Sequence, residues 1–268
     1  MRTGVLLKRV DLRPVTDPLS GEVRGDPHGG MSAADRCALE LALRTGGEVT
    51  AVSAGTDAAR DVLREALAAG AHRAIWVELD PDASSAAVAA AVAPLLADCA
   101  FVWAGDYSLD RGSGSVPAFV AAELDVAQAL GLSAVETEAA GVGPLPVRRR
   151  LDGGRQELLE VAAPAVLSVE AGLVPPRRPG LGAVLAAQQA PIEHRIAAAG
   201  PIPRGKSAAY RPRARVLAGP DVRQSARERL VQMSGALTVH DPPRVVHGEA
   251  AEAADELFAF LRSRGYLS

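Results

Sequence analysis

The first 105 residues alternate between short apolar runs and longer segments with one apolar side, and no other feature constrains the fold as strongly. Apolar runs of strand length lie at 4–10, 48–54, 73–78 and 101–104. Segments with helical character lie between them, at 32–44, from a Thr56 cap to Gly70, and at 82–97, where Pro94 is expected to kink or shorten the helix. This rhythm predicts an α/β fold, a Rossmann-like parallel sheet with helices on both faces.

Composition narrows the class of protein. The 268 residues carry a net charge of −3 and are 48% hydrophobic, which indicates a globular chain without a nucleic-acid partner. The two cysteines, Cys37 and Cys99, and the five histidines lack the spacing of a disulfide framework or a metal site, so neither is expected. The N-terminus lacks a secretory layout, and no run approaches the roughly 20 apolar residues of a membrane span. We therefore expect a cytoplasmic protein with no direct membrane insertion.

The loop after the fourth predicted strand is a candidate ligand site. The apolar run ends at Gly105, and a polar loop with glycines leads into an alanine-rich helix predicted from Val116 to about Leu130. The free N–H groups at such a helix start suit the phosphate of a nucleotide. The glycines form neither a dinucleotide fingerprint nor a Walker loop, so an ordinary strand-to-helix turn is also compatible. Asp106 and Asp110 could act as acid and base, or could bind backbone N–H groups or a ribose hydroxyl.

The rhythm changes after Gly131. A β-hairpin is predicted around Asp152-Gly153-Gly154, followed by an apolar strand, Ala165–Val169, and a proline-rich loop at 172–182. The loop carries Arg177-Arg178, a pair that could contact an anionic group of a partner or lie in solvent. A short helix is predicted at 183–189, a basic extended arm at 195–215 and a last amphipathic helix at 249–263. The predicted domains are a nucleotide-binding α/β domain, 1–194, and a partner-wrapping arm and helix, 195–268.

Several of these segments, read together, resemble the β subunit of electron transfer flavoproteins, from about Gly4 to Tyr266. The similar segments are Lys8-Arg9-Val10 at the end of the opening strand, the helix at 35–44, the strand at 48–53, the segment Leu63-Arg64-Glu65-Ala66-Leu67-Ala68-Ala69-Gly70-Ala71-His72-Arg73-Ala74, the Asp-Gly-Gly hairpin, Pro164-Ala165-Val166, and Pro176-Arg177 with Leu181. The combined pattern is far more specific than any one segment.

The resemblance implies an electron-carrier subunit without catalytic residues of its own. It implies a heterodimer with an α subunit that holds most of the FAD site, and AMP bound in this subunit. It further implies transient partners, a dehydrogenase that donates electrons and a membrane-linked quinone oxidoreductase that passes them to the respiratory chain.

The resemblance also implies site residues, carried over by position. The nucleotide contacts would be Leu6, Ser32, Ala33, Ala34, Asp35, Ala54, Gly105, Asp106, Asp110, Arg111, Gly112, Ser113, Gly114, Ser115 and Val116. Partner recognition would fall to Arg177, Arg178 and Leu181, although Leu181 could instead pack against the chain's own core. Arg150 would lie near the flavin.

The chain departs from the family pattern at several of these positions. Ser32-Ala33 stands where relatives usually have Asn-Pro, and Arg150 replaces a glutamate, which reverses a local charge. The arginine-rich, alanine-rich character resembles the actinobacterial branch associated with mycofactocin gene clusters. Whether AMP, a second FAD or nothing fills the nucleotide site is left open by these changes.

Two other classes of protein compete with this interpretation. One is a stand-alone adenine-nucleotide-binding protein of the universal-stress-protein type, which would not need the proline-rich loop or the basic arm. The other is an enzyme such as a nucleotidyl transferase or an amide-forming ligase, which the lack of a phosphate-binding lysine or histidine motif in the predicted nucleotide loops disfavours.

Overall fold

The computed structural model describes residues 1–17, 19, 23–24, 29–137, 143–197, 219–234, 245, 249–264 and 266. The chain divides into two compact units, Met1–Gly205 and Lys206–Ser268. The predicted arm at 195–215 falls mostly outside the described residues, as do His28, His240 and His247.

Most strands of the first unit join one sheet. The strands are β1 (Arg2–Leu6), β2 (Arg9–Val10), β3 (Val15–Thr16), β4 (Val23–Arg24), β5 (Gly30–Met31), β6 (Glu48–Gly55), β7 (Arg73–Glu78), β8 (Phe101–Gly105), β9 (Ala127–Val135), β10 (Leu145–Arg150), β11 (Gln156–Val161), β12 (Ala165–Val169) and β13 (Glu193–Ile196). Among the described residues, nine strands form a sheet in the order β11-β10-β9-β12-β8-β1-β6-β7-β13. Neighbours are parallel except on both sides of β10, while β2–β5 and β3–β4 form separate two-residue pairs.

Helices cover both faces of this sheet, as predicted. The helices of the first unit are α1 (Ala33–Arg44), α2 (Ala59–Ala69), α3 (Ser85–Val92), α4 (Val116–Leu124) and α5 (Leu181–Gln189). Successive strand residues alternate between two apolar clusters: Ala74 and Trp76 pack with α1 and α2, whereas Ile75 and Val77 pack with α3 and α4. Because both faces are buried, the central strands are apolar at nearly every position.

The predicted helix from Val116 to about Leu130 is wrong in its second half. The helix α4 ends at Leu124, Asp125 has a left-handed φ of 53°, and the following residues form β9. This strand pairs with β12 on one side and β10 on the other, and that pairing outweighs the helix preference of its alanines.

Smaller differences concern the ends of elements. The first strand ends at Leu6 rather than at residue 10, and the next two-residue strand pairs with β5 instead. Thr56 does not cap α2 with its side chain, because the N-cap residue is Ala58. Pro94 does shorten the third helix, which ends at Val92 and continues as a single 3₁₀ turn. The hairpin forms as predicted, with Gly153 and Gly154 at positive φ between β10 and β11.

The described part of the second unit contains α6 (Ala226–Ser234) and α7 (Ala250–Ser263). The first of these begins with reciprocal hydrogen bonds between Ser225 and Glu228, a capping box. The second confirms the predicted last helix. Its apolar side chains Leu257, Phe258 and Phe260 are exposed.

Candidate nucleotide site and recognition loop

A cavity of about 250 Å³ lies at the carboxyl edge of the sheet, where the strand order reverses. From β1 the chain proceeds through β6 and β7 on one side, then returns to β8 on the other. Open α/β sheets bind ligands at this kind of switch point. The cavity is lined by the residues that end or follow β1, β6, β7 and β8, so the parallel sheet brings four separate segments together there.

The lining has an apolar part and a polar part. The apolar part includes Leu6, Val52, Ala54, Val88, Val92 and Val116, which pack in the cluster of α3 and α4, and Pro117 in the first turn of α4. The polar side chains are Lys8, Arg9, Ser32, Asp35, Thr56, Asp80, Ser85, Tyr107, Ser108, Asp110, Arg111 and Ser113. At the starts of α3 and α4, the Ser115 Oγ donates to the Ser85 Oγ at 2.9 Å, so two helix N-termini meet beside the cavity.

Most of the predicted nucleotide residues come together here. Those that line the cavity are Leu6, Ser32, Asp35, Ala54, Gly105, Asp110, Arg111, Ser113, Gly114 and Val116. Five do not line it: Ala33, Ala34, Asp106, Gly112 and Ser115. Sequence reasoning did not assign Lys8 to the site, although Lys8 is one of only two lysines and lies two residues after β1.

An ion pair closes the loop between β8 and α4, residues 106–115 and here called the nucleotide loop, onto the end of β1. The Lys8 Nζ lies 2.7 Å from the Asp110 Oδ2 and 3.3 Å from the Ser108 Oγ. Burial acts to raise the pKa of Asp110, but hydrogen bonds from Lys8 and Ser108 outweigh it and hold that pKa below its usual range. A bound phosphate would therefore compete with Asp110 for the ammonium group.

Further contacts give the loop its shape. A Cβ on Gly114 would lie 1.8 Å from the Asp106 carbonyl oxygen, so only glycine allows this approach of two backbone segments. The Arg111 guanidinium donates to the Ala83 carbonyl at 2.7 Å and to the Pro81 carbonyl, which ties the nucleotide loop to the loop after β7.

A buried carboxylate, Asp35, joins three elements at the edge of the cavity. Its Oδ2 accepts from the Lys8 N–H at 3.1 Å, and it also accepts from the Gly105 N–H, so it links the ends of β1 and β8 to the first turn of α1. The helix start is capped by Ser32, whose Oγ accepts from the Asp35 N–H at 3.0 Å. Burial raises the pKa of Asp35 to about 7, although the hydrogen bonds from Lys8, Gly105 and Ser32 act in the opposite direction.

The proline-rich segment 173–180, here called the recognition loop, is held against α1. Arg177 donates to the Glu40 carboxylate from its main-chain N–H, its Nε and its Nη2. Within the described part of the chain, the neighbouring Arg178 has no ion pair. Leu181 is the first residue of α5 and is 74% exposed, and Leu185 one turn later is 60% exposed. Leu181 thus does not pack into the chain's own core.

Arg150 lies away from the cavity, on the exposed face of β10. Its Nη2 donates to the Glu170 Oε2 at 2.6 Å, just beyond the end of β12. Asp106 lies near the same carboxylate: burial, and then the charge of Glu170, raise the pKa of Asp106. The reversed charge at Arg150 is therefore compensated within this chain.

Two kinds of feature are absent from the described residues. No helix there is both long and apolar enough to cross a bilayer. No group of three or more His, Cys, Asp or Glu side chains there is arranged to hold a metal ion.

Comparison with known proteins identifies relatives. A family model described as the electron transfer flavoprotein domain matches residues 23–199. An electron transfer flavoprotein subunit beta of Syntrophomonas wolfei is 37% identical over 57% of this chain and 60% of its own length. Proteins of the same description from Thermoanaerobacterium thermosaccharolyticum and Bradyrhizobium diazoefficiens are 32% and 30% identical, over 68% and 74% of this chain and 72% and 82% of their own lengths. The chain thus spans about 60% of the length of the Syntrophomonas relative.

The family model covers more than half of the chain, from residue 23 to residue 199, and several relatives carry the same description, subunit beta. The chain therefore belongs to the electron transfer flavoprotein family, as a member of the β-subunit type.

Proposed function

We propose that this chain is the β subunit of a heterodimeric electron transfer flavoprotein. It pairs with an α subunit and helps to form an FAD site held mainly by that subunit. Electrons arrive from a docked dehydrogenase and leave to a membrane-linked quinone oxidoreductase that feeds the respiratory chain. The subunit acts in the cytoplasm as a carrier, without catalytic residues of its own. The match to the family model over residues 23–199 is the observation that carries this proposal.

The cavity is proposed to hold an adenine nucleotide, AMP or the adenylate part of a second FAD. Its apolar part fits a purine ring, and Lys8, Ser113 and the start of α4 supply cationic and hydrogen-bonding groups for a phosphate. The FAD held with the α subunit would supply the redox chemistry, whereas the nucleotide in this cavity would brace the strand ends. Lys8 would then exchange part of its pairing with Asp110 for the phosphate.

The dehydrogenase is proposed to dock on the exposed residues Arg178, Leu181 and Leu185. Apolar side chains on a pre-ordered helix enter a partner's pocket with little loss of conformational freedom. Arg177 was predicted from the sequence to take part in partner recognition, but its guanidinium forms an ion pair with Glu40. Its proposed contribution is to hold the loop. Membership of the mycofactocin-associated branch stays a prediction.

The test is co-expression with the neighbouring open reading frame, followed by purification, an absorbance spectrum and analysis of released nucleotides. We expect a yellow heterodimer with about one FAD and one AMP. Two FAD molecules would place the second flavin in this cavity. A colourless monomer carrying an adenine nucleotide would contradict the proposal and favour a stand-alone nucleotide-binding protein.

A further inference from the structure

Glu40 is a buried carboxylate that takes no part in the nucleotide cavity. Its side chain is only 6% exposed, and it lies in the second half of α1, the helix whose first turn carries Asp35. A buried charge without partners would be strongly destabilising, so its hydrogen bonds indicate what it does.

Two arginines and one main-chain group satisfy this carboxylate. Arg177 donates from its Nε at 2.8 Å, from its Nη2 at 3.3 Å and from its main-chain N–H at 3.0 Å. Arg44, one turn further along α1, donates from its Nε at 2.8 Å and from its Nη2 to the Pro175 carbonyl at 3.4 Å. Because the main-chain groups of Arg177 and Pro175 are both engaged, this cluster fixes the backbone of the recognition loop as well as its side chains.

The same arrangement fixes the helix that follows. Arg177 is four residues before Leu181, and the prolines at 175, 176 and 179 restrict the chain around it. The other end of α5 is held by Arg64 of α2, whose Nη1 donates to the Ala187 carbonyl at 2.6 Å and to the Ala190 carbonyl. The exposed leucines Leu181 and Leu185 lie between these two attachments.

We infer that Glu40 is the positioning residue of the docking surface: through Arg177 it sets the recognition loop, and so the direction in which Arg178, Leu181 and Leu185 face a dehydrogenase. This inference rests on the proposed function only for the nature of the partner. A loop that is already ordered loses little conformational freedom when the dehydrogenase docks. Loss of the contact between Glu40 and Arg177 should therefore weaken binding without changing the electron-transfer step.

The test compares Glu40→Gln with wild type in the intact heterodimer. Glutamine has the same shape but lacks the charge that holds two guanidinium groups. The matched control is Glu65→Gln, which breaks an exposed pair between α1 and α2, Arg36 with Glu65, without a hydrogen bond to the loop. The readouts are amide hydrogen exchange by mass spectrometry and the steady-state kinetics of the dehydrogenase with the heterodimer as electron acceptor.

In Glu40→Gln, peptides covering 173–185 should exchange about tenfold faster than in wild type and in Glu65→Gln, because the hydrogen bonds that hold the loop lose their charged acceptor. The KM for the heterodimer should rise about tenfold at constant kcat. Arg177→Ala should reproduce both effects, and the double variant should add little, since the two residues form one unit.

Wild-type exchange rates at 173–185 in Glu40→Gln would overturn the inference, and so would faster exchange with an unchanged KM. If the wild-type heterodimer accepts electrons from no dehydrogenase, the proposed function fails. In that case the exchange rates alone decide whether Glu40 positions the loop.

Discussion

At the scale of single residues, α1 carries two buried carboxylates whose pKa values are displaced in opposite directions. Asp35 receives hydrogen bonds from main-chain N–H groups and a hydroxyl, and these do not offset its burial, so its pKa rises to about 7. Burial also acts to raise the pKa of Glu40, but hydrogen bonds from Arg177 and Arg44 outweigh it and lower that pKa to about 2. Burial is the dominant cause at Asp35, whereas at Glu40 the hydrogen bonds from two guanidinium groups outweigh it.

Glu40 should make the protein less stable in acid. Its native pKa of about 2 lies below the ordinary 4.5, so the unfolded state binds more protons between these values. The stabilisation is complete above pH 4.5 and is lost as the pH falls to about 2. It amounts to about 2 kcal/mol after allowance for solvent around the arginines. Urea unfolding across this pH range should show the loss in wild type and not in Glu40→Gln; the same loss in both would contradict the assignment.

Asp35 should act in the opposite sense at higher pH. Its native pKa of about 7 lies above the ordinary 3.8, so the native state binds more protons in between. The free energy of unfolding should therefore decline as the pH rises from about 4 to 7. The slope of unfolding free energy against pH should flatten in Asp35→Asn, whatever that variant's absolute stability. An unchanged slope would assign the decline to other groups.

At the scale of elements, the nucleotide loop depends on one close backbone contact. Gly114→Ala should displace the loop, because its Cβ would lie 1.8 Å from the Asp106 carbonyl oxygen. We expect the adenine nucleotide recovered per purified heterodimer to fall several-fold. The control is Gly182→Ala, where nothing lies within 4 Å of the new Cβ and the nucleotide content should not change. Full nucleotide content in Gly114→Ala would show that the loop does not bind it.

The junction between α4 and β9 offers a stabilising change. Asp125 ends the helix with a φ of 53°, a conformation that glycine adopts without steric cost. Asp125→Gly should raise the free energy of unfolding by roughly 0.5 kcal/mol, while Asp125→Ala should lower it. The urea midpoints of the two variants measure this difference, and equal midpoints would contradict it.

At the scale of the whole molecule, the thermal stability of a shortened chain should depend on the residue at which it ends. A chain ending at Gly205 keeps β13, which pairs with β7 at the edge of the sheet, and should unfold cooperatively. A chain ending at residue 194 lacks half of that strand and should have a lower Tm. Thermal unfolding followed by circular dichroism compares the two.

Both shortened chains should fail to co-purify with the α subunit, because residues 195–268 are proposed to wrap it. The exposed apolar side chains Leu257, Phe258 and Phe260 of α7 support this proposal. Recovery of the chain ending at Gly205 with the α subunit at full yield would contradict it.

Much of the fold and part of the site could be predicted from residue order. The strands β7 and β8 were predictable because both faces of the sheet are buried, which makes their sequences almost continuously apolar. The hairpin was predictable because its turn needs a residue that tolerates positive φ, such as Gly153. The position of the cavity could also be predicted, because the carboxyl ends of parallel strands lie at the same edge of a sheet. The strand β9 was missed because its alanines and glycine carry no alternating pattern, and only pairing with β10 and β12 decides its conformation.

The sequence by itself determined the α/β architecture, the family and the segments that meet at the switch point, because periodicity and order along the chain are local properties. Only the tertiary structure decided the partners of charged side chains. Lys8 meets Asp110 across 102 residues, and Arg177 meets Glu40 across 137. Such pairs depend on how elements that are distant in sequence pack together. Two adjacent arginines can therefore have different roles: Arg177 holds the recognition loop, whereas Arg178 is exposed beside it.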